Sequence, residues 1–200
     1  MIRLLSRISL IILLFCSNAN ASTAEVKSFI MNVSNTTLNV VSSGKMTIDQ
    51  KDKTLRDLFE KSVDTTWISR FVIGVYWRDA SDEQKSKYTE FYHKFLMDSY
   101  VPKFRSYTDQ KFELKSVEAL ENDEYLVQTE IYTHDKPSLR VDYKIRKGSD
   151  GKYKIFDVIA EGVSLITTQR SEFGSIVSRN GIDYLIDKLK ARSEEDKKAS

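Results

Sequence analysis

Two histidines, His93 and His134, are the only side chains whose ordinary pKa would let them act as a base near neutral pH. Neither has neighbours at metal-ligand spacing. Asp142, Asp157 and Glu161 could meet as a general acid and base, although their spacing suits salt bridges or helix capping equally well. The sequence contains no G-x-S-x-G elbow, phosphate-binding glycine loop or dinucleotide fingerprint. It therefore predicts a protein that is not an enzyme.

Residues 1–21 have the pattern of a cleaved secretory signal peptide. Two arginines precede an apolar run over residues 8–15, and Ala19-Asn20-Ala21 supplies small residues two apart. The run is too short to span a bilayer, which needs roughly 20 residues. Cys16 leaves a lipoprotein open as an alternative, but Phe15 is large where a lipidation site favours a small residue. We expect export to the periplasm.

The charge balance of the exported chain excludes several classes of protein. The full chain has 31 Lys and Arg against 29 Asp and Glu, and loss of two arginines with residues 1–21 leaves 29 of each. A nucleic-acid binder normally carries a basic excess, so we expect no nucleic-acid partner. Cys16 is the only cysteine, so no disulfide framework is expected. The length predicts one domain over residues 22–192, followed by a charged, solvated tail over 193–200.

The N-terminal part of this domain, residues 22–107, has the period of amphipathic helices. Asp64 can cap a short helix, and Ser81 with Gln84 reads as a capping box. Pro102 is expected to end the helix that follows. That helix carries an aromatic stripe: Tyr88, Phe91, Tyr92, Phe95 and Tyr100. The stripe could be ordinary core, or it could line an apolar cavity between helices and sheet.

The second part, residues 108–192, begins with a period of two. Apolar and polar residues alternate over 112–115, 125–132 and 139–146, and a turn at 148–151 leads to a partner strand over 153–158. These segments predict four antiparallel strands with one apolar face, which the helices must cover. Helical patterns return after Ser164. The predicted fold is α+β, a four-stranded twisted antiparallel sheet packed with a mostly helical lobe.

The segment 157–165 reads D-V-I-A-E-G-V-S-L and is followed by Arg170 and Phe173. It resembles the MlaC family, also called the toluene-tolerance family, whose members read roughly D-V-x-x-E-G-V-S-L, four residues, then R-x-x-F. Weaker matches lie upstream, at Val63-Asp64 and Val141-Asp142-Tyr143, in the same order as in the family. The resemblance covers essentially the whole exported chain.

The resemblance implies a nuclear-transport-factor-like sheet with an apolar pocket between sheet and helices. It implies a periplasmic carrier that shelters phospholipid acyl chains as cargo, with no cofactor and no metal. Its implied partners are an inner-membrane ABC transporter complex and an outer-membrane lipoprotein–porin complex, and a monomer is the simplest state. From faces and spacing, the predicted pocket residues are Trp67, Phe71, Phe91, Phe95, Tyr125, Val127, Val141, Tyr143, Val158, Val163 and Ile166.

Two rival classes remain at this point. Folds of the nuclear-transport-factor type host isomerases and dehydratases, which would need a titratable residue facing the cavity, with His93 or Asp157 as candidates. A periplasmic adaptor that binds only protein would instead have a filled core and no lipid.

Overall fold

The computed structural model describes residues 5–105, 110–134 and 136–198, with side chains from 22 onward except 105, 136 and 195–198. None of the described helices combines the length and apolar character that crossing a membrane would require. The helices are α1 (Leu5–Ser42), α2 (Ile48–Ser62), α3 (Thr65–Ile73), α4 (Tyr76–Asp79), α5 (Asp82–Arg105), α6 (Leu165–Asn180) and α7 (Ile182–Lys198).

One antiparallel sheet follows the first five helices, so the predicted α+β class is confirmed. Its strands are β1 (Lys111–Ala119), β2 (Glu124–Thr133), β3 (Lys136–Lys147), β4 (Tyr153–Ala160) and β5 (Val163–Ser164), paired in chain order. The sheet has five strands and not the predicted four. β5 contains only two residues, too few to show an alternating pattern.

A two-residue turn joins β4 to β5. Ala160 pairs with Val163, and both turn residues have positive φ, +49° at Glu161 and +81° at Gly162. Tight hairpins with two positive-φ residues match the twist of the strands, and glycine adopts this conformation without a steric penalty. The turn brings the chain directly to the start of α6.

The predicted helix caps are confirmed. The Asp64 side chain accepts from the Trp67 amide at 3.1 Å, and the Ser164 hydroxyl accepts from the Thr167 amide at 3.2 Å. Ser81 and Gln84 exchange both hydrogen bonds of a capping box. Each cap satisfies an amide that the first turn of a helix leaves unpaired.

Pro102 does not end α5, which continues to Arg105. A proline in a helix removes one backbone hydrogen bond. Here packing holds both sides of the proline: Val101 before it is fully buried, and Phe104 two residues after it packs against the same apolar cluster, formed by the end of α1, α2 and α5. This burial offsets the lost bond, so the helix persists for one more turn.

Two larger cores flank the sheet. The aromatic core joins α3, α5, α6 and α7 to Phe156 of β4 and includes fully buried Tyr88 and Tyr92. The sheet core packs Val26 and Ile30 of α1 against the apolar faces of the strands; its strand members are Tyr125, Val127, Ile145 and Ile155. Helices therefore cover the sheet with two separate sets of contacts.

A bulge in β4 changes which side chains share a face. Tyr143 pairs with Val158 and Ile145 pairs with Ile155, so β4 holds one more residue than β3 between these pairs. Simple alternation would place Ile155 and Val158 on opposite faces. With the bulge both lie on the face of Tyr143 and Ile145, because cross-strand partners share a face.

Two predicted boundaries compare differently with the structure. The boundary at 107–108 falls in segment 106–109, outside the described residues, between α5 and β1. The tail predicted from 193 differs from the structure, since α7 runs to Lys198 and Ser193 is buried. The helix was not predicted here because the charged residues of this segment show no apolar period.

Candidate functional site

A cavity of about 420 Å³ lies between the helices and part of the sheet face. This volume falls within the range of pockets that hold small organic ligands. Residues from α1, α2, α3, α5 and α6 form one wall, and residues from β1 to β4 form the other. Most of the side chains that line it are aliphatic or aromatic.

The sheet wall is a continuation of the face that α1 covers elsewhere. Leu139, Val141 and Tyr143 alternate along β3 and all line the cavity. Their neighbours on the other strands extend the wall; they are Phe112, Ile131, Ile155, Val158 and Ala160. The β4 bulge contributes two of these residues, because it puts Ile155 and Val158 on one face.

The helical wall is built from one face of each helix. The α1 contribution follows steps of three and four, as expected for a single face: Ile30, Val33, Ser34, Thr37 and Leu38. The α2 contribution does the same with Leu55, Leu58, Phe59 and Ser62. Leu165, Ile166 and Gln169 line the cavity from the start of α6.

Along α5 the lining residues become more exposed from Leu96 to Lys103, and the last of them, Phe104, is half-buried. Leu96 is buried, Tyr100 is half-buried and Lys103 is exposed. Since a helix rises about 1.5 Å per residue, these three positions span about 10 Å. The Lys103 ammonium lies 5.1 Å from the centre of the Tyr100 ring. From Leu96 to Lys103 the α5 wall thus runs from a buried apolar side chain to an exposed lysine.

A short polar network reaches the cavity wall from the aromatic core. Tyr92 Oη lies 2.5 Å from Gln169 Oε1, and Gln169 Nε2 lies 3.1 Å from Tyr100 Oη. Burial raises the pKa of the Tyr92 hydroxyl and also the pKa of the Tyr100 hydroxyl. Both phenols are therefore neutral at physiological pH. Gln169 and Tyr100 both line the cavity.

Asp157 lines the cavity, but its carboxylate serves the start of α6. Its two oxygens accept from the Ser164 hydroxyl at 2.8 Å and from the Ile166 amide at 3.4 Å. A carboxylate at a helix N-terminus interacts favourably with the helix dipole. The geometry gives Asp157 a structural role at the β4–β5–α6 junction.

The other candidates for acid–base chemistry lie outside the cavity wall. His93 contacts Thr65 Oγ1 through Nδ1 at 3.3 Å, and its Nε2 lies 3.5 Å from a Glu60 oxygen. Asp142 pairs with Arg140 at 2.7 Å, and Glu161 accepts from the Arg140 amide. The structure does not bring these carboxylates together with a histidine.

His134 lies in an exposed turn after β2. Within the described residues, no group of three or more His, Cys, Asp or Glu side chains is placed to hold a metal ion. The arrangement at the cavity can enclose an apolar molecule and offer it a few polar contacts.

Four of the eleven predicted pocket residues line the cavity: Val141, Tyr143, Val158 and Ile166. Tyr125 and Val127 lie on the correct sheet face, but α1 covers them, so they belong to the sheet core. Val163 is 57% exposed, because β5 ends at the sheet edge beside the turn.

The four predicted aromatic residues of the helices, Trp67, Phe71, Phe91 and Phe95, pack against the aromatic core and not against the cavity. Trp67 stacks on Phe71 with ring centres 4.9 Å apart, and Phe95 lies 5.7 Å from the Phe173 ring. The stripe on α5 covers more than one helix face. Only its C-terminal member Tyr100 reaches the cavity.

The sequence analysis missed the contributions of α1 and α2. Both helices show an apolar stripe in the sequence, but a stripe does not reveal whether it faces another element or a cavity. The length of the α1 stripe is the feature of the sequence that could have indicated these contributions. Its apolar residues continue beyond Val26 and Ile30, which pack in the sheet core.

The sequence block used for the family resemblance also has a structural role. The Arg170 guanidinium donates to the Phe71 carbonyl at 2.6 Å and lies over the Phe71 ring. It also lies against Gly74, which has φ +55°, and a Cβ there would come within 2.7 Å of Arg170 Nη2. Arg170 therefore joins α6 to the end of α3, and Gly74 leaves room for it.

Comparisons with known proteins agree with this architecture. A family model described as MlaC protein matches residues 31–191. The intermembrane phospholipid transport system binding protein MlaC of Haemophilus influenzae is 26% identical over 121 residues, or 59% of this chain. That alignment spans 56% of the relative, little more than half its length.

A solved structure is also similar in fold. It is that of a phospholipid-binding protein from Ralstonia solanacearum in complex with a phospholipid. The match has a TM-score of 0.69 at 18% identity and covers 88% of this chain and 98% of the other. At this identity the likeness concerns the arrangement of helices and strands.

Proposed function

This chain belongs to the MlaC family, and we propose that it is a periplasmic phospholipid carrier that shelters acyl chains in the cavity between helices and sheet. The observation that carries the proposal is the cavity itself, about 420 Å³ with a mostly apolar lining that includes one exposed lysine, Lys103. Phospholipid binding by the Ralstonia solanacearum protein, which has a similar fold, supports the same ligand class.

An apolar cavity suits this task because acyl chains are costly to expose to water. At roughly 0.8 kcal/mol per buried methylene, each sixteen-carbon tail represents on the order of 13 kcal/mol of gross transfer free energy. A bilayer already provides this stabilisation, so the cavity needs only to match it approximately. Transfer then requires no covalent step and no cofactor.

The route of the lipid would run between the outer and inner membranes. The signal-peptide pattern over residues 1–21 supports export to the periplasm. The family suggests an outer-membrane lipoprotein–porin complex and an inner-membrane ABC transporter complex as docking partners, with the carrier as a monomer. Docking would remove the barrier that arises when tails cross water.

The test is native mass spectrometry of the exported protein, purified from cells without detergent, followed by organic extraction. We expect a mass excess that matches a diacyl phospholipid. A bare protein mass that persists after incubation with phospholipid liposomes would overturn the proposal and favour an adaptor that binds only protein.

A further inference from the structure

The hydrogen bonds between Tyr92, Gln169 and Tyr100 have a direction. Tyr92 is fully buried, so its hydroxyl needs an acceptor, and Gln169 Oε1 is the acceptor within reach at 2.5 Å. This fixes the orientation of the Gln169 amide. Its Nε2 is then the donor to Tyr100 Oη at 3.1 Å. The opposite orientation would leave the Tyr92 hydroxyl hydrogen without an acceptor among the described residues.

Because Tyr100 Oη accepts from Gln169, the hydrogen of the Tyr100 hydroxyl remains available to donate. Gln169 is the only hydrogen-bond partner of this hydroxyl in the described part of the chain. Both side chains line the cavity. Burial raises the pKa of Tyr100, so the phenol keeps its hydrogen across the physiological range. The network thus presents a neutral donor at a mostly apolar wall.

The depth of Tyr100 indicates which acceptor it meets. It lies between buried Leu96 and exposed Lys103 on the cavity face of α5. A glycerophospholipid has the same order of polarity, with a charged phosphate outermost, ester carbonyls next and hydrocarbon tails deepest. An ester carbonyl is a neutral acceptor, which suits a neutral phenol donor at intermediate depth.

We propose that Tyr100 donates a hydrogen bond to an acyl-ester carbonyl of the bound lipid and so makes the cavity prefer ester-linked over ether-linked lipids. This inference rests on the proposed phospholipid-carrier function. Gln169 and Tyr92 are positioning residues, because they hold the Tyr100 oxygen and leave its hydrogen directed away from them.

The test is competitive loading with two phosphatidylglycerols that have identical saturated tails, one with ester linkages and one with ether linkages. Native mass spectrometry measures the ratio bound. We expect the wild-type protein to prefer the ester lipid by roughly three- to tenfold, the size of one hydrogen bond. Tyr100→Phe should bring the ratio close to one. Tyr184→Phe, an exposed tyrosine on α7 outside the cavity lining, should leave it unchanged.

Each other outcome is informative. If Tyr100→Phe weakened both lipids equally, the hydroxyl would bind the phosphate or act only in packing, and the proposal would be overturned. Equal binding of both lipids by the wild-type protein would overturn it too, while leaving the carrier function intact. Failure to load either lipid would instead refute the carrier function.

A second measurement does not depend on the folding of a variant. Ester lipid with labelled carbonyl carbons is loaded into wild-type protein, and the carbonyl stretch is recorded by infrared spectroscopy. We expect one carbonyl population shifted to lower frequency, as hydrogen bonding requires. If every labelled carbonyl absorbed at the frequency of a carbonyl in hydrocarbon solvent, the proposal would be overturned.

Discussion

One face of the sheet is filled core at one end and cavity wall at the other. On β3, Ile145 is fully buried beneath α1, whereas Leu139 on the same face is 39% exposed. On β2, Val127 and Ile131 differ in the same way. The strands have the same alternation throughout. The position of the helices, and not the composition of the sheet, therefore decides which half is core and which half can hold a ligand.

The largest contrast between the two halves should appear in stability. Ile145→Ala removes a side chain from the filled half and should lower the free energy of unfolding by about 3 kcal/mol, within the usual range for such cavities. Leu139→Ala, on the same strand face in the open half, should cost less than about 1 kcal/mol because that side chain is already partly exposed. Urea unfolding of lipid-free protein measures both. Equal losses would show that the two halves are equally packed.

The open half should be the half that controls loading. Val141→Glu places a carboxylate against the tails, and burying a charge without a partner is costly, so we expect loading to fall at least tenfold. Val163→Glu is the matched control, since Val163 is exposed at the sheet edge. Native mass spectrometry after liposome incubation measures loading, and urea unfolding confirms that both variants fold. Normal loading in a folded Val141→Glu protein would remove this residue from the site.

A larger side chain in the open half should reduce lipid loading with little effect on stability, and the reduction should be smaller than that caused by a buried charge. Ile131→Trp adds volume to the cavity wall and should reduce loading several-fold while changing the free energy of unfolding by about 1 kcal/mol or less, since space is available. Ile48→Trp, at a position 68% exposed, should leave loading unchanged. If Ile131→Trp destabilised the protein strongly, this part of the sheet would be packed and not open.

The helices and strands could be predicted from the sequence more completely than the residues that line the cavity. The caps at Asp64, Ser81 and Ser164 depend on local chemistry, so they could be predicted from neighbouring residues. The sequence could not show that Val127 belongs to the sheet core and Val141 to the cavity wall. Both residues follow the same alternation, and they differ only in whether α1 packs directly on them. The position of Val158 depends on the β4 bulge, which the sequence does not signal.

The aromatic helix α5 shows a second limit. Phe91, Phe95 and Tyr100 belong to the same aromatic run in the sequence, yet the first two face the aromatic core and the last faces the cavity. A helix with apolar residues on more than one face can serve two neighbours at once. Sequence periodicity therefore identifies the apolar faces of a helix but does not show which element or cavity each face meets.

The opposite face of the sheet supplies the smallest predicted effect. Lys111 and Lys115 donate to the Glu113 carboxylate at 2.7 and 2.8 Å and lower the pKa of Glu113 to about 2. Because this pKa lies below its ordinary value of 4.5, the contribution to stability is present above about pH 4.5 and is lost as pH falls toward 2.

Glu113→Gln should therefore flatten the decline in stability between pH 4.5 and 2, with a small effect at neutral pH because the cluster is exposed to solvent. Urea midpoints measured across this range test the expectation. Loading at neutral pH should not change, because Glu113 does not line the cavity. An unchanged pH profile would show that these ion pairs contribute nothing measurable in solution.

The β4 bulge also determines how the protein tolerates insertions and deletions. Phe156 lies between the residues paired with Lys144 and Ile145, so deleting it would leave every other β3–β4 pair in place. The deletion would instead remove a buried ring that packs edge-on against Trp67 at 5.2 Å. The sheet could thus lose this residue without a change of register, while the aromatic core could not. Deleting Phe156 would therefore keep the strand pairing of the cavity wall and weaken only the packing of the helices against the sheet.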